Sequence, residues 1–134
     1  MKQLDDKTLV AGQILPEQVA EIAASGVTAI INNRPDGEEP GQPSGADIAE
    51  AAAAAGIAYR HIPIAGGFNM DDVMAMADAL EAAVGTTLAF CKSGTRSTFL
   101  WALARSERGA DGGDLSARAA AAGYDLTPIA PYLN

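Results

Sequence analysis

The chain has 134 residues, with Lys+Arg 9 against Asp+Glu 17 and a formal net charge of −8 at pH 7. That length supports one continuous core rather than two, and the acidity argues against nucleic acid or an anionic membrane face as a partner. One Cys and one His exclude an intramolecular disulfide and leave no cluster for structural zinc, so a reducing, cytoplasmic location is expected, with no metal and no cofactor.

The N-terminal stretch lacks the apolar core of a signal peptide, and Leu9–Ala11 reads as a short strand. Leu15-Pro16-Glu17 opens a helix, Val19, Ile22 and Ala23 share one of its faces, and Gly26 ends it. Val27–Asn32 is a continuous apolar run with β-branched members, the pattern of a strand covered on both faces. Asn33–Pro43 is rich in Pro, Gly and charge and reads as a long loop.

Ser44 is placed to cap the next helix, with Ile48, Ala51, Ala52 and Ala55 as its apolar stripe and Gly56 as its stop. Ile57–Ile64 reads as a third strand. Asn69 is a cap for a helix running to Val84, with Val73, Met76, Ala77 and Leu80 facing inward. Thr86–Phe90 is the fourth strand, and a helix over Arg96–Arg108 is expected to be central and buried because Phe99, Leu100, Trp101 and Leu103 surround it. Asp111–Gly113 reads as a turn, Leu115–Ala122 as a last helix, and the tail beyond Gly123 as irregular. Strands separated by helices imply a mostly parallel sheet of four or five strands with helices on both faces, in one domain over residues 1–134. Ligands of such sheets bind outside the carboxyl ends of the strands.

One segment at such a strand end carries chemistry: Cys91-Lys92-Ser93-Gly94-Thr95-Arg96-Ser97. Successive backbone N–H groups of this loop can converge on an anion. Gly94 permits a tight turn, and the following helix directs its positive end at the loop. Arg96 offers a planar fork for an oxyanion and Lys92 a second cation. Such a field favours the thiolate of Cys91. The hydroxyls of Ser93, Thr95 and Ser97 are candidates to donate to it or to steady the loop. The plainer reading is a buried, inert cysteine, but strand, helix, Gly, Arg, Lys and hydroxyls cluster here, so Cys91 and Arg96 are taken as catalytic. Lys92, Ser93, Gly94, Thr95 and Ser97 are taken as substrate-binding.

Cys, then Arg after a Gly-containing loop, then Ser, resembles the active loops of cysteine-dependent phosphatases and rhodanese-type sulfurtransferases. Phosphatases place five residues between Cys and Arg. Here there are four, closer to the rhodanese loop. Three further blocks carry a narrower resemblance: Ala11-Gly12-Gln13-Ile14, the run Ile30–Glu38, and Leu100-Trp101-Ala102-Leu103 after the Cys loop. With these the chain resembles the beta-lactamase-hydrolase-like family, phosphatase-like domain, from about Leu9 to Leu126. That resemblance implies a protein-tyrosine-phosphatase-like fold and leaves both phosphatase and sulfurtransferase open. Lys92 departs from the family, which more often has Arg there: the charge is kept and the bidentate fork is lost.

A cysteine phosphatase usually takes a general acid from a mobile loop, yet Ile62–Asn69 contains no carboxylate. Asp71 and Asp72 suit the first turn of a helix, and Asp36 before Gly37 suits a turn. Sulfur transfer has no such requirement. It is ranked first, through a Cys91 persulfide formed from thiosulfate or another persulfide and unloaded by an external thiol such as glutathione or thioredoxin. Phosphate-ester hydrolysis through a Cys91 phosphoryl intermediate is the alternative, and a non-catalytic anion-binding module is the third.

Arg34 can reach the anion loop as a substrate-binding residue or pair with Asp36, Glu38 or Glu39 on the surface. Glu38 and Glu39 read as a solvated loop, His61 as a hydrogen-bonded structural residue, and Met70, Met74 and Met76 as core filling.

Overall fold

The computed structural model describes residues 1–134. Five strands, β1 (Lys2–Asp5), β2 (Thr8–Ala11), β3 (Val27–Asn32), β4 (Ala58–His61) and β5 (Thr86–Phe90), alternate with helices α1 (Val19–Ala24), α2 (Gly45–Ala54), α3 (Met70–Ala82), α4 (Thr95–Glu107) and α5 (Gly112–Ala121). The strands form one sheet in the order β1-β2-β5-β3-β4. All neighbours are parallel except β1, which pairs antiparallel with β2.

Side chains on a strand alternate between the two faces, and β3 and β5 use that alternation to join two cores. Ile30, Leu88 and Phe90 point to the face covered by α1 and α2, where they meet Val19, Ile22, Ile48 and Ala52 in a cluster of 9 buried residues. Ile31 and Ala89 point to the face covered by α3, α4 and α5, a cluster of 20 buried residues around Leu100 and Trp101. The second face therefore carries most of the apolar burial, which is the main favourable contribution to folding.

Most expected elements form where the sequence places them, with local corrections. The first helix opens as a 3-10 turn over Pro16–Gln18. β4 covers only Ala58–His61 of the expected Ile57–Ile64, because Pro63 has no N–H to continue the ladder. The amides of Ile62 and Ile64 still donate to the Asn32 and Asn33 carbonyls at 2.8 and 3.0 Å, so the chain stays beside β3 after the strand ends.

β1 was not expected. Its only buried residue is Leu4, too little for a visible period, but the Lys7 N–H donates to Asp5 Oδ1 at 2.9 Å and closes the turn. The tail is not irregular either. Thr127–Tyr132 forms a 3-10 helix that buries Ile129, and the Asn134 backbone N–H donates to Ser106 Oγ at 2.8 Å. Of the three methionines expected to fill the core, Met76 is fully buried, whereas Met70 and Met74 are exposed. Met70 instead lines an apolar groove with Phe68, Phe99 and Leu103.

Candidate active site

Cys91 follows the last residue of β5, the central strand, so the carboxyl ends of its two neighbours flank it. The Cys91 N–H donates to the Ala11 carbonyl at 3.4 Å from the β2 side, and the Asn33 N–H donates to the Phe90 carbonyl at 2.8 Å from the β3 side. Gly12 approaches so closely that a Cβ there would lie 2.9 Å from the Lys92 carbonyl oxygen. Three loops thus converge on one sheet edge, the position at which parallel sheets bind ligands.

The loop then turns back on the sulfur. The Gly94 N–H donates to Cys91 Sγ at 3.1 Å, and Gly94 sits at φ +91 immediately before α4, a conformation other residues adopt only with strain. Thr98 returns to the same point, its N–H and its hydroxyl donating to the Gly94 carbonyl at 2.9 and 2.8 Å. Cys91 is only 1% exposed.

Arg96 occupies the first turn of α4 and is fixed by two groups. Nη1 donates to Glu38 Oε2 at 2.7 Å and to the Ile64 carbonyl at 3.0 Å, while Nη2 donates to Glu38 Oε1 at 2.9 Å. This two-toothed pair holds the Glu38 carboxyl far below its usual range, down to about 2, first through Arg96 and then through Arg34. The Arg96 guanidinium is raised in return, chiefly by Glu38 and further by Cys91.

Arg34 is buried, with a side chain 5% exposed. Its Nε donates to Glu38 Oε1 at 2.8 Å, Nη1 to Gln13 Oε1 at 3.0 Å, and Nη2 to Glu39 Oε1 at 3.1 Å. Glu39 also pairs with Lys92, whose Nζ lies 2.6 Å from its Oε1. Glu38 and Glu39 are therefore not a solvated loop, as their composition suggests. They close the cations of the Cys loop, and Gln42 Oε1 accepts from both of their backbone N–H groups.

Lys92, Ser93 and Thr95 are exposed at the rim, and Gly94 and Ser97 are buried. Ser93 and Thr95 share a hydroxyl hydrogen bond of 3.2 Å. The Ser97 hydroxyl is fully buried with no hydrogen-bond partner in the protein. His61 Nε2 lies 2.8 Å from the Arg34 carbonyl oxygen, the structural contact expected of it. Asp36 lies in a turn with Gly37, and its Oδ1 accepts the Gly45 N–H at 2.7 Å, which ties that turn to the start of α2. Asp71 is exposed, and Asp72 lies in the first turn of α3 with its N–H capped by Asn69 Oδ1 at 2.8 Å. Residues 62–69 carry no carboxylate toward the sulfur.

Sequence reasoning missed Gln13 and Tyr124. The Tyr124 hydroxyl donates to the Ser93 carbonyl at 3.0 Å, and a Cβ on Gly94 would collide with it. Burial raises Tyr124 above its ordinary value, with Cys91 as the second cause. It lies 31 residues beyond Ser93 in the chain, and no local pattern links the two. Gln13 falls inside a block that carried the resemblance, but its bond to Arg34 depends on the β2–β5–β3 neighbourhood.

Residues 1–108 match the family model described as beta-lactamase hydrolase-like protein, phosphatase-like domain. A beta-lactamase hydrolase-like protein of Xylella fastidiosa is 38% identical over 134 residues, covering 98% of this chain and 31% of that protein. The chain thus spans between 24% and 31% of the length of the curated relatives it matches. Among solved structures, a candidate phosphatase from Neisseria meningitidis superposes with a TM-score of 0.84 at 31% identity, covering 99% of this chain and 95% of that one. Tk-PTP superposes with a TM-score of 0.75 at 17% identity over 97% of this chain and 90% of its own, a likeness of fold. The protein-tyrosine-phosphatase-like fold is thereby established, and this chain belongs to the phosphatase-like domain family of the beta-lactamase hydrolase-like proteins.

Proposed function

We propose that the chain is a cysteine-dependent phosphatase acting on phosphate monoesters through Cys91. This reverses the ranking drawn from the sequence, in which sulfur transfer came first. The family is phosphatase-like, and none of the relatives described above supports a persulfide carrier or a thiol acceptor. The observation that carries the reading is the pairing of Cys91 Sγ with the Gly94 N–H beside an Arg96 held in place from outside by Glu38.

Phosphoryl transfer consists mostly of positioning and charge stabilisation, with the oxygens of the transferred group as the target. Glu38 and the Ile64 carbonyl occupy Nη1 and one edge of Nη2. The Nε side of the Arg96 guanidinium remains to meet the phosphoryl oxygens, together with the amides of residues 92–96. Cys91 Sγ, as thiolate, forms the S–P bond while the ester P–O bond breaks, and the leaving oxygen takes the bonding pair. Water then attacks phosphorus, loses its proton to solvent and releases inorganic phosphate, and the S–P pair returns to sulfur. Tyr124 and Gly94 keep the loop closed around this centre, and Arg34 serves it by anchoring Glu38 and Glu39.

Because residues 62–69 offer no carboxylate, the leaving group departs without a strong internal proton donor. Esters of acidic alcohols, aryl phosphates above all, are therefore the expected substrates, and alkyl phosphates the poor ones. A structurally similar protein, TpbA of P. aeruginosa, has been solved with phosphotyrosine, which agrees with an aryl ester.

The test is steady-state hydrolysis of p-nitrophenyl phosphate and of glycerol phosphate by wild type and Cys91→Ser. The nucleophile variant should lose on the order of a thousandfold or more of the aryl rate, and wild type should favour the aryl ester. Equal aryl rates in the two proteins would overturn the assignment. Transfer of sulfur from thiosulfate to cyanide by wild type, with no phosphate release, would restore the sulfur reading.

A further inference from the structure

Glu39 is better fixed than an exposed carboxylate at a loop tip needs to be. Its Oε1 receives Lys92 Nζ at 2.6 Å and Arg34 Nη2 at 3.1 Å, and its backbone N–H is tied to Gln42 at 3.3 Å. Arg34 is itself buried and bonded through every nitrogen. An ordinary surface ion pair costs side-chain entropy to hold and contributes little. Here the buried guanidinium bears that ordering, so the carboxylate stands beside Lys92 whether or not Lys92 moves.

The charges at the mouth then come close to cancelling. Arg34, Lys92 and Arg96 supply three positive charges, and the paired Glu38 and Glu39 carboxylates offset two of them. Arg96 and the loop amides remain available for one phosphoryl group. A second anionic group on the same molecule would meet Glu39 where it would otherwise meet a free Lys92.

We propose that Glu39, anchored by Arg34, sets a charge limit on the ligand: the site takes a single phosphoryl group on an uncharged or cationic organic group and discriminates against di- and polyphosphates and strongly acidic phosphopeptides. This rests on the phosphatase reading for its substrate class, though not for its electrostatics. Like charges about 4 Å apart in a water-exposed setting interact by an amount equivalent to about fivefold in binding, and that sets the expected size of the effect.

The experiment is isothermal titration of wild type and Glu39→Gln, an uncharged near-isostere, with inorganic phosphate and with tripolyphosphate, alongside p-nitrophenyl phosphate hydrolysis. Glu39→Gln should bind tripolyphosphate about fivefold tighter than wild type does, gain less for phosphate, and lose the difference near 1 M salt, where the screening length is about 3 Å. The same change for both ligands, no gain for tripolyphosphate, or a gain that survives high salt would overturn the charge limit. The two readings fail separately. A shifted ligand preference without ester hydrolysis would sink the phosphatase assignment alone, and ester hydrolysis with an unshifted preference would sink the charge limit alone.

Discussion

Glu38 is the residue on which the geometry of the site turns, because it touches both arginines and neither strand. Replacing it with Gln keeps the shape and one acceptor but removes the charge that fixes Arg96. If Glu38 positions Arg96, Glu38→Gln should lower kcat for aryl phosphates by on the order of tenfold, with the KM for the same ester changing less, and Glu38→Asp should not rescue it because the shorter side chain cannot span the same gap. Its titration gives a second check. The carboxyl sits at about 2 in the folded protein against an ordinary value of 4.5, with Arg96 as the largest cause. A depressed carboxylate stabilises the fold above its unfolded value and loses that contribution as pH falls toward its folded one. The melting-temperature gap between wild type and Glu38→Gln should therefore be the same at about pH 7 and about pH 5.5, and should shrink progressively below 4.5. The same depression removes Glu38 as a proton donor near neutrality.

At the scale of elements, two helix starts decide how the site loops are held. α4 begins at a Gly94 with positive φ that Tyr124 covers, so Gly94→Ala should remove activity through loop geometry. The circular-dichroism spectrum should stay close to native, since α4 is buried elsewhere by Leu100 and Trp101. α3 begins at Asn69, whose side chain accepts the Asp72 N–H. Asn69→Ala should lower stability by about 1 kcal/mol in urea titrations. The sequence made both starts legible through local signals: a capping Asn with carboxylates after it, and a Gly inside the Cys loop. It also showed β3 and β5 residue for residue, because apolar β-branched runs bounded by Gly have few other readings. It did not show the roles of Glu38, Glu39, Gln13 and Tyr124. Each acts across elements far apart in the chain, and a charged Pro-Gly loop looks the same whether its carboxylates face water or arginine.

At the scale of the molecule, the edge opposite the site is held by a different polar group. Asp5, at the end of β1, accepts the Trp101 indole N–H at 2.9 Å and lies 3.4 Å from Arg105 Nη2. Burial alone would raise its carboxyl, but the Trp101 bond, with help from Lys7, Thr8 and Arg105, brings it below the ordinary value. Asp5→Ala leaves the buried indole N–H unpaired and should cost about 1–3 kcal/mol. Aryl phosphate hydrolysis should be unchanged, because Asp5 pairs with Thr8 while Cys91 lies beyond Phe90 at the other end of the sheet.

The unequal burial on the two faces of the sheet bears on the timing of local opening. The face covered by α1 and α2 rests on 9 buried residues and the other on 20, so sub-global opening should begin on the thinner side. The connection that carries Glu38 and Glu39 leads into α2 on that side, whereas the helix behind Cys91 belongs to the thicker one. In native-state hydrogen exchange, amides of α1 and α2 should lose protection before those of α4. The carboxylates that close the site would then open many times for each unfolding of the loop that holds the sulfur.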